Sequence, residues 1–423
     1  MTKLALHWQI AIAIILALFF GMILSPDSAL LGITFTAFCE FIGSIFLNAL
    51  KMVIVPLVVS SIICGVSNLG SGSGLGRLGG KTILFYMSSS LLAILVGLFV
   101  VNVFSPGMID GEPAGERLNL SAPEMVADKL QNVEGRGLGD VAAVFVRMVP
   151  PNIVQAAAEG QMLGLICFAL LFGYFMLKIA AKNRDTLIDF WQGVFDVMMH
   201  ITMFIMKFAP IGVFGLVAKT IVVTGFDAFA PLLKFFITVI VALGMHMFLT
   251  MPLILKYIAK VNPLKHYKAM APAMLTAFST ASSSGTLPVT MECVEKNAGV
   301  SNKTTSFVLP LGATVNMDGT ALYECVAAMF IAQAYGLDLT LGTQFLIVMM
   351  ALLTSIGVAG IPSASLVAIT IILAAVGLPA EGIGMLLVTD RILDMMRTAV
   401  NVFSDSCCAV VIAKTEGEEQ VLA

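Results

Sequence analysis

The sequence predicts an all-α polytopic membrane protein. Its 423 residues are 59% hydrophobic and 12% charged, with a mean hydropathy of +0.99, and that charged fraction is about half the value for a soluble domain. Apolar segments long enough to cross about 30 Å of hydrocarbon recur along the chain. Lys and Arg concentrate in three of the loops between them. These three observations predict eight transmembrane helices and two interrupted segments.

Several of the apolar segments exceed the roughly 20 residues that a perpendicular helix needs, which indicates tilt or extension past the bilayer. The first segment is longer than the apolar core of a signal peptide, so we interpret it as an uncleaved helix. Two further segments, at about 267–291 and 341–376, are interrupted by Ser, Gly and Pro. The eight predicted spans lie at about 4–24, 32–64, 82–104, 140–180, 188–221, 230–257, 304–335 and 383–413.

The basic loops set the predicted orientation, because cytoplasmic loops are enriched in Lys and Arg. Eight full spans that start inside put all three basic loops on the cytoplasmic side and the acidic loop at about 106–139 outside. Both termini are then cytoplasmic, and the cell inner (plasma) membrane is the expected location. This number of crossings places the loops on those sides only if each interrupted segment enters and leaves the membrane on the same side. The basic loops carry Arg77 and Lys81; Lys178, Lys182 and Arg184; and Lys256, Lys260, Lys265 and Lys268.

Each interrupted segment contains a short polar stretch. The first reads "SSSGTLP" (Ser282 to Pro288) and the second reads "SIGVAGIPSAS" (Ser355 to Ser365). Broken backbone at membrane depth is tolerated only where it lines a protein cavity, and a pair of such breaks in corresponding halves points to a transport site. The alternative is a pair of surface loops.

Charged residues form one stripe on the last predicted helix. At about 100° per residue they fall within a stripe roughly 80° wide. A solvated face is the alternative, but continuous apolar sequence flanks the stripe on both sides. Charges at membrane depth are costly and face a cavity or a partner, so the stripe predicts a binding site. Its members are Asp390, Asp394, Arg397, Asn401 and Asp405.

A second polar group lies in the preceding full span, within "LGATVNMDGTALYE". Gly319 lowers helix propensity by about 1 kcal/mol, so we expect local unwinding there, which would free backbone carbonyls as ligands for a small cation. Hydrogen bonds between helices are the alternative for Thr314 and Thr320, but they do not explain Asp318 and Glu324 at depth.

The residue types predict the chemistry of a ligand. Arg397 offers a planar fork for a carboxylate, and Asp394 offers an anion for an ammonium group. Serine hydroxyls, backbone N–H groups and Asn401 would hold a second carboxylate. Asp318 and Asp405 have no basic residue in their own motifs, which implies bound cations or protons. Oxygen-only ligation favours a hard cation, and we expect sodium.

Other classes of protein are disfavoured. The seven cysteines include no CxxC pair, and the four histidines show no HxxxH spacing, which argues against a disulfide framework and a zinc site. A net charge of −3 without a Lys/Arg block argues against nucleic acid as a partner. A serine protease would need a base beside Ser282–Ser284. His200 and His246 lie in predicted spans without an oxyanion motif, so no enzyme is expected.

The motifs together resemble the glutamate/aspartate transporters, or sodium:dicarboxylate symporter family, and in particular the prokaryotic homologues of the excitatory amino-acid transporters. The resemblance covers nearly the whole chain and is carried by "SSSGTLP", "NMDGT", "AGIP" and "DxxxDxxRTxxNxxxD". It implies eight transmembrane helices plus two re-entrant helical hairpins with inverted repeats. It also implies a homotrimer in membrane lipid, in which a mobile transport domain moves like an elevator against a static scaffold.

The resemblance implies a division of the chain into scaffold and transport elements. The scaffold comprises helices 1–2 (1–75) and helices 4–5 with the acidic extracellular loop (106–221). The transport domain comprises helix 3 (76–105), helix 6 (222–260), re-entrant hairpin 1 (261–300), helix 7 (301–337), the gating re-entrant hairpin 2 (338–378) and helix 8 (379–415), followed by a cytoplasmic tail (416–423).

The resemblance also implies ligand sets. Substrate contacts are Ser283, Ser284, Thr320, Ile361, Asp390, Asp394, Arg397, Thr398 and Asn401. One sodium site comprises Gly312, Asn316, Asn401 and Asp405, and a second comprises Thr314, Ser355, Ile356 and Val358. A third comprises Tyr86, Ser89, Ser90, Asn316 and Asp318.

Individual residues narrow the expected substrate. Within the family, arginine at Arg397 favours an acidic substrate, the acid at Asp394 favours an amino acid, and the acid at Asp405 favours sodium over protons alone. Glu324 stands where animal carriers have a proton-carrying Glu, which implies proton co-transport. A cation-coupled C4-dicarboxylate symporter is the alternative, and an anion leak alongside transport stays open. The chain departs from the family pattern at Ala281, Met395, Ser365 and the additional arginine Arg391.

Overall fold

The computed structural model describes residues 6–25, 28–30, 32–69, 75–115, 117, 118, 120, 146, 149–158, 162–224, 229–337, 339–357, 365–376, 378 and 383–422. Most of them are helical. The helices are α1 (Leu6–Ile23), α2 (Phe35–Leu69), α3 (Leu75–Phe104), α4 (Ile153–Ala158), α5 (Met162–Met176), α6 (Ala181–Met206), α7 (Ala209–Thr224), α8 (Phe229–Met245), α9 (Met251–Tyr257), α10 (Pro263–Thr280), α11 (Ser283–Glu292), α12 (Asn302–Val315), α13 (Asp318–Ala334), α14 (Leu341–Gly357), α15 (Ser365–Val376) and α16 (Ile383–Thr415).

Short irregular elements complete the described fold. A π-helical turn, His246–Thr250, joins α8 to α9, and another, Cys293–Asn297, follows α11. Strands β1 (Ala29–Leu30) and β2 (Ile33–Thr34) pair antiparallel, with Ala29 opposite Thr34. Strands β3 (Met108–Ile109) and β4 (Glu112–Pro113) do the same, with Met108 opposite Pro113.

Three helical stretches among the described residues are long and apolar enough to cross a membrane: Arg77–Phe104, Ala230–Tyr257 and Thr389–Thr415. Buried residues make up 83% of the apolar stretch in the last of these, against 44% and 39% in the other two. Helix α16 is therefore the most buried of these three stretches. Shorter apolar helical stretches are Phe35–Phe46, Val55–Cys64, Cys167–Met176, Pro210–Val223 and Leu341–Ser355, so the count of eight spans stays a prediction.

The span predicted at about 188–221 is not one uninterrupted helix, because α6 ends at Met206 and α7 begins at Ala209. Pro210 at the second position of α7 accounts for the break. Proline lacks the N–H that a helix interior needs, but it is favoured in a first turn.

The described helices pack around separate cores. Helices α1, α2 and α7 enclose one cluster that includes Ala17, Phe46 and Val217. The largest cluster surrounds α13, whose residues 318–332 are all buried, and it extends onto α3, α8, α14 and α15. A third cluster lies between α10, α12 and α16. Two of these cores therefore meet at α16.

Helix breaks position the polar residues. Helix α10 ends at Thr280, and the next residue, Ala281, is buried and has a left-handed backbone conformation (φ 51°). Ser282 then caps α11 by accepting a hydrogen bond from Gly285 N at 3.1 Å. The break in "SSSGTLP" thus precedes its Gly and Pro, since Gly285 and Pro288 lie inside α11. Helices α14 and α15 contact each other on either side of residues 358–364, which lie outside the described part.

Candidate functional site

The charged stripe of α16 is buried inside the protein. Arg397 is fully buried, and its Nη2 donates to Asp390 Oδ1 and to Asp394 Oδ1, both at 2.9 Å. The spacings of three and seven residues place both acids one and two turns before the arginine on one helix face. Both carboxylates are themselves at least nine-tenths buried, so all three charges depend on each other for stabilisation.

The rest of the Arg397 guanidinium faces an aromatic ring. Its Cζ lies 3.8 Å from the centroid of the Tyr323 ring on α13, a cation–π contact. Nε and Nη1 of Arg397 have no hydrogen-bond partner among the described residues. Buried donors of a charged group are costly to leave unpaired, so this guanidinium is suited to an additional anion.

A second arginine reaches the same acid. Arg391 Nη1 lies 3.6 Å from Asp394 Oδ2, and the Arg391 side chain is only 9% exposed. Its Nε and Nη1 likewise have no hydrogen-bond partner within the described chain. Asp390, Asp394, Arg391 and Arg397 therefore form a buried cluster of balanced formal charge.

Asn401 connects α16 to the start of α13. Its Oδ1 accepts from Gly319 N at 2.8 Å, and its Nδ2 donates to Thr320 Oγ1 at 3.2 Å. A Cβ on Gly319 would lie 2.7 Å from the backbone oxygen of Arg397. Glycine at this position therefore permits the close approach of α16, and it does not unwind the helix. One turn before Asn401, Thr398 donates to Asp394 O at 2.8 Å.

The predicted unwinding lies instead at Asn316 and Met317, which separate α12 from α13. Asn316 has extended backbone angles (φ −102°, ψ 95°). Its side chain donates to Asp405 Oδ1 at 2.9 Å and to Ser404 Oγ at 3.1 Å, and it accepts from Ser89 Oγ at 3.3 Å. This buried amide joins the break to α3 and α16.

Asp318 lies at the centre of a buried polar network. Its Oδ1 accepts from Ser90 Oγ at 2.6 Å and from Ser89 Oγ at 3.2 Å, both on α3. Its Oδ2 accepts from Ser404 Oγ at 2.6 Å and lies 3.2 Å from His246 Nε2. Three hydroxyls and an imidazole thus surround this carboxylate, and they come from three separate parts of the chain.

The backbone of Gly312 packs directly against the side chains of Tyr86 and Asp405. A Cβ built on Gly312 would overlap the Asp405 carboxylate and the Tyr86 hydroxyl, so only glycine fits there. The Tyr86 hydroxyl donates to Val308 O at 2.8 Å. The structure thereby brings together the first and third sets of expected sodium ligands, which share Asn316.

Glu324 lies about one turn beyond Thr320 and is fully buried. Its Oε2 accepts from Thr354 Oγ1 of α14 at 2.8 Å, whereas its Oε1 has no hydrogen-bond partner among the described residues. This carboxyl joins α13 to the helix that leads into the second interrupted segment.

The remaining expected ligands are distributed as follows. Ser283 is buried at the start of α11, but Ser284 is exposed. Thr314 donates to Leu311 O at 3.0 Å and Ser355 donates to Leu352 O at 2.9 Å, on helices α12 and α14, which contact each other. The side chain of Ile356, together with Val358 and Ile361, lies outside the described part.

Sequence reasoning did not assign binding roles to four residues that contact the site: Tyr323, Thr354, Ser404 and His246. A histidine inside an apolar span was the only advance signal, and it was weighed there as a catalytic base. No group of three or more His, Cys, Asp or Glu side chains suited to a metal occurs among the described residues. The two carboxylates of the network instead contact neutral side chains: Asp405 accepts from the Asn316 amide, and Asp318 accepts from the Ser90 hydroxyl.

Known proteins match the chain over its whole length. It is 36% identical to the proton/sodium-glutamate symport protein of Geobacillus stearothermophilus, across 99% of this chain and 96% of the relative. It is 34% identical to the proton/glutamate-aspartate symporter of Escherichia coli (strain K12), across 98% and 93%. It is 36% identical to excitatory amino acid transporter 3 of Homo sapiens, across 90% and 79%.

The profile of the "Sodium:dicarboxylate symporter family" matches residues 6–415. This match confirms the resemblance expected from the motifs, and it assigns a multi-pass membrane transporter rather than an enzyme. The chain belongs to the sodium:dicarboxylate symporter family.

Proposed function

We propose that this protein is a secondary active symporter that takes up acidic amino acids, L-aspartate and/or L-glutamate, together with sodium. The observation that carries the proposal is Arg397, fully buried beside two carboxylates and with two N–H groups that have no partner among the described residues. A substrate carboxylate would accept from those groups in a water-poor site, where charge-assisted hydrogen bonds are strong. The printed functions of the bacterial relatives agree with this substrate class.

The rest of the substrate would be held by neighbouring groups. Its ammonium would replace an arginine at Asp394, while Asn401, Thr398 and Thr320 would hold its main-chain carboxylate together with Ser283 and Ser284. Ile361 would complete the site from the second interrupted segment. Asp394 would then exchange one of its two arginine partners, Arg391 at 3.6 Å or Arg397 at 2.9 Å, for the substrate ammonium.

Sodium would bind as a coupling ion in the polar network. Asp405 with Asn316, Asn401 and the carbonyl of Gly312 offers one set of hard oxygen ligands. Asp318 with Ser89, Ser90, Asn316 and Tyr86 offers another, and the remaining proposed set comprises Thr314, Ser355, Ile356 and Val358. Hydroxyl hydrogens that now point at Asp318 would turn away so that their oxygens face the ion.

We infer the large-scale mechanism from family membership. The proposal comprises eight transmembrane helices, two re-entrant hairpins at the interrupted segments, both termini in the cytoplasm, and a homotrimer whose transport domains move as elevators in a prokaryotic inner membrane. The basic loops support the orientation. The contact between Glu324 and Thr354 supports a link between helix α13 and the second hairpin, which is the proposed gate.

The substrate is tested by thermal stability of the purified protein with L-aspartate, L-glutamate, succinate or L-serine, each in sodium or choline. Stabilisation rises with ligand excess over Kd. We expect sodium-dependent stabilisation by aspartate, by glutamate or by both. Stabilisation by succinate but by neither amino acid would overturn the proposal in favour of a cation-coupled C4-dicarboxylate symporter. That second function is favoured by one observation, the neutralisation of Asp394 by arginine without an ammonium group.

We further propose that Glu324 carries a co-transported proton. Its position, buried and with one oxygen accepting from Thr354 while the other has no partner in the described chain, leaves room for a proton on Oε1. Uptake into proteoliposomes by Glu324→Gln is the test, with Thr354→Val as the matched variant that keeps the carboxyl. We expect Glu324→Gln to lose the pH dependence of uptake and Thr354→Val to keep it. An unchanged pH dependence in Glu324→Gln would contradict the proton role.

A further inference from the structure

A basic corner joins α9 to α10. We define it as residues 256–268. Its four lysines, Lys256, Lys260, Lys265 and Lys268, are all exposed. No aspartate or glutamate occurs in the sequence between Asp227 and Glu292. The corner is therefore a local concentration of positive charge without acidic residues nearby in sequence.

The backbone of the corner is fixed, so the lysines are held in place. Val261 N donates back to Leu255 O at 3.1 Å across the end of α9, and Val261 and Ala259 are buried. Asn262 then caps α10 by accepting from Leu264 N at 2.9 Å. Between these two anchors Lys260 adopts a left-handed conformation (φ 57°), which costs energy for a residue with a Cβ.

Three of the four lysines in the corner have no acidic partner among the described residues. Lys265 and Lys268 lie in the first two turns of α10, where the helix dipole disfavours cations. Lys256, Lys260 and Lys268 form no salt bridge with any described carboxylate, whereas Lys81 lies 2.6 Å from Glu416 and Lys296 lies 2.8 Å from Glu292. A negative group placed at the corner would offset both the repulsion among the lysines and their unfavourable interaction with the helix dipole.

Apolar side chains interleave with the lysines. Tyr257 is 67% exposed, Ile258 is 56% exposed and Leu264 is 69% exposed. A soluble anion would satisfy the ammonium groups but leave these side chains in water. An anionic lipid has both parts, since its phosphate meets the lysines while its acyl chains meet the apolar groups.

We propose that the basic corner, residues 256–268, binds the headgroup of an anionic phospholipid where α9 joins α10. The corner leads through α10 to Ala281 and Ser282 beside the candidate site, so the lipid would also stabilise the helix that ends there. The proposal concerns a lipid site and does not depend on which substrate is transported.

The test is a titration of detergent-solubilised protein with short-chain phosphatidylglycerol, phosphatidylcholine or inorganic phosphate, with the unfolding temperature as readout. Of the three ligands, we expect only phosphatidylglycerol to raise the unfolding temperature, and we expect added salt to weaken this effect. In the variant Lys256→Gln/Lys260→Gln/Lys265→Gln/Lys268→Gln the apparent affinity for phosphatidylglycerol should fall at least about tenfold. The four Lys→Arg replacements should keep it.

A matched control removes the same formal charge elsewhere, at the exposed lysines Lys178, Lys182, Lys207 and Lys303, and should bind phosphatidylglycerol like the unchanged protein. An equal loss in this control would overturn the proposal in favour of general electrostatic attraction. An equal response to inorganic phosphate would overturn it in favour of a free-anion site. If the fourfold variant does not fold, the double variants Lys256→Gln/Lys260→Gln and Lys265→Gln/Lys268→Gln give the same comparison.

Discussion

The guanidinium of Arg391 lies 3.6 Å from the carboxylate of Asp394 in the interior of the protein. Residues three apart on a helix are neighbours on its surface, so the contact follows from the spacing of the two residues. Arg397 holds the other oxygen of the same carboxylate at 2.9 Å. One acid thus lies between two arginines, and Arg391 sets the charge balance of the cluster.

Removal of that charge is expected to weaken the binding of acidic substrates. Arg391→Gln leaves two carboxylates facing one guanidinium, so a substrate with net charge −1 meets additional repulsion at short range and low dielectric. We expect the Kd for L-aspartate or L-glutamate to rise about tenfold or more, a change of about 1.4 kcal/mol. Binding is measured by ligand-dependent thermal stability in sodium.

Two comparisons separate this effect from a folding defect. Arg391→Lys keeps the charge and should retain most of the affinity, and Lys414→Gln removes a charge from the far end of the same helix without contact to the cluster. An unchanged Kd in a folded Arg391→Gln protein would contradict the assigned role of Arg391.

The opposite change at Asp394 distinguishes an amino acid from a plain dicarboxylate. Asp394→Asn removes the proposed ammonium partner and leaves two arginines with one acid. We expect amino-acid binding to weaken by at least about tenfold, because the buried ammonium loses its counter-charge, while succinate binding is maintained or strengthened. Parallel titrations with L-aspartate and succinate measure the ratio. Equal losses for both ligands would argue against an ammonium contact at Asp394.

The sequence predicted the polar stripe of α16 because its period is a property of one helix, and Asp390, Asp394 and Arg397 are indeed buried together. It placed the unwinding at Gly319 because helix propensity is local. The structure has the break at Asn316 and Met317 instead. Glycine is required at position 319 for another reason, the close packing of α16 against it.

Partners from distant parts of the chain could not be read from the sequence. Ser404 and His246 contact Asp318 across 86 and 72 residues, and a lone serine or histidine carries no signal of such a contact. Tertiary packing of α3, α13 and α16 decides which polar groups share a cavity. The same holds for Thr354, whose contact with Glu324 depends on how α14 lies against α13.

The tight meeting of Gly312, Tyr86 and Asp405 predicts a steric effect. In Gly312→Ala the new methyl group overlaps the carboxylate and the phenol hydroxyl, so the buried side chains must shift. We expect a loss of about 1–3 kcal/mol in stability, typical of overpacking, and a higher sodium concentration for half-maximal stabilisation. Gly80→Ala is the matched control, because a Cβ there meets nothing within 4 Å. Equal behaviour of the two variants would contradict a close-packed cation site at Gly312.

The end of α16 carries a pH-sensitive surface contact. Glu416 accepts from Arg77 Nη2 at 2.8 Å and from Lys81 Nζ at 2.6 Å. The Arg77 and Lys81 hydrogen bonds lower the pKa of the Glu416 carboxyl from 4.5 to about 2. A carboxyl with a lowered folded-state pKa stabilises the protein above its unfolded-state pKa, and that stabilisation is lost as the pH falls through the folded-state pKa. The window runs from about pH 4.5 down to about pH 2.

Glu416→Gln is therefore expected to lower the unfolding temperature slightly at neutral pH, since the pairs are partly exposed and screened by solvent. The difference from the unchanged protein should shrink as the pH falls through that window, because the unchanged protein loses the same charge by protonation. High salt at neutral pH should shrink it too. Glu419→Gln is the control, since Glu419 is exposed and has no salt bridge among the described residues. A difference that stays constant down to about pH 2 would show that Glu416 acts through packing and not through its charge.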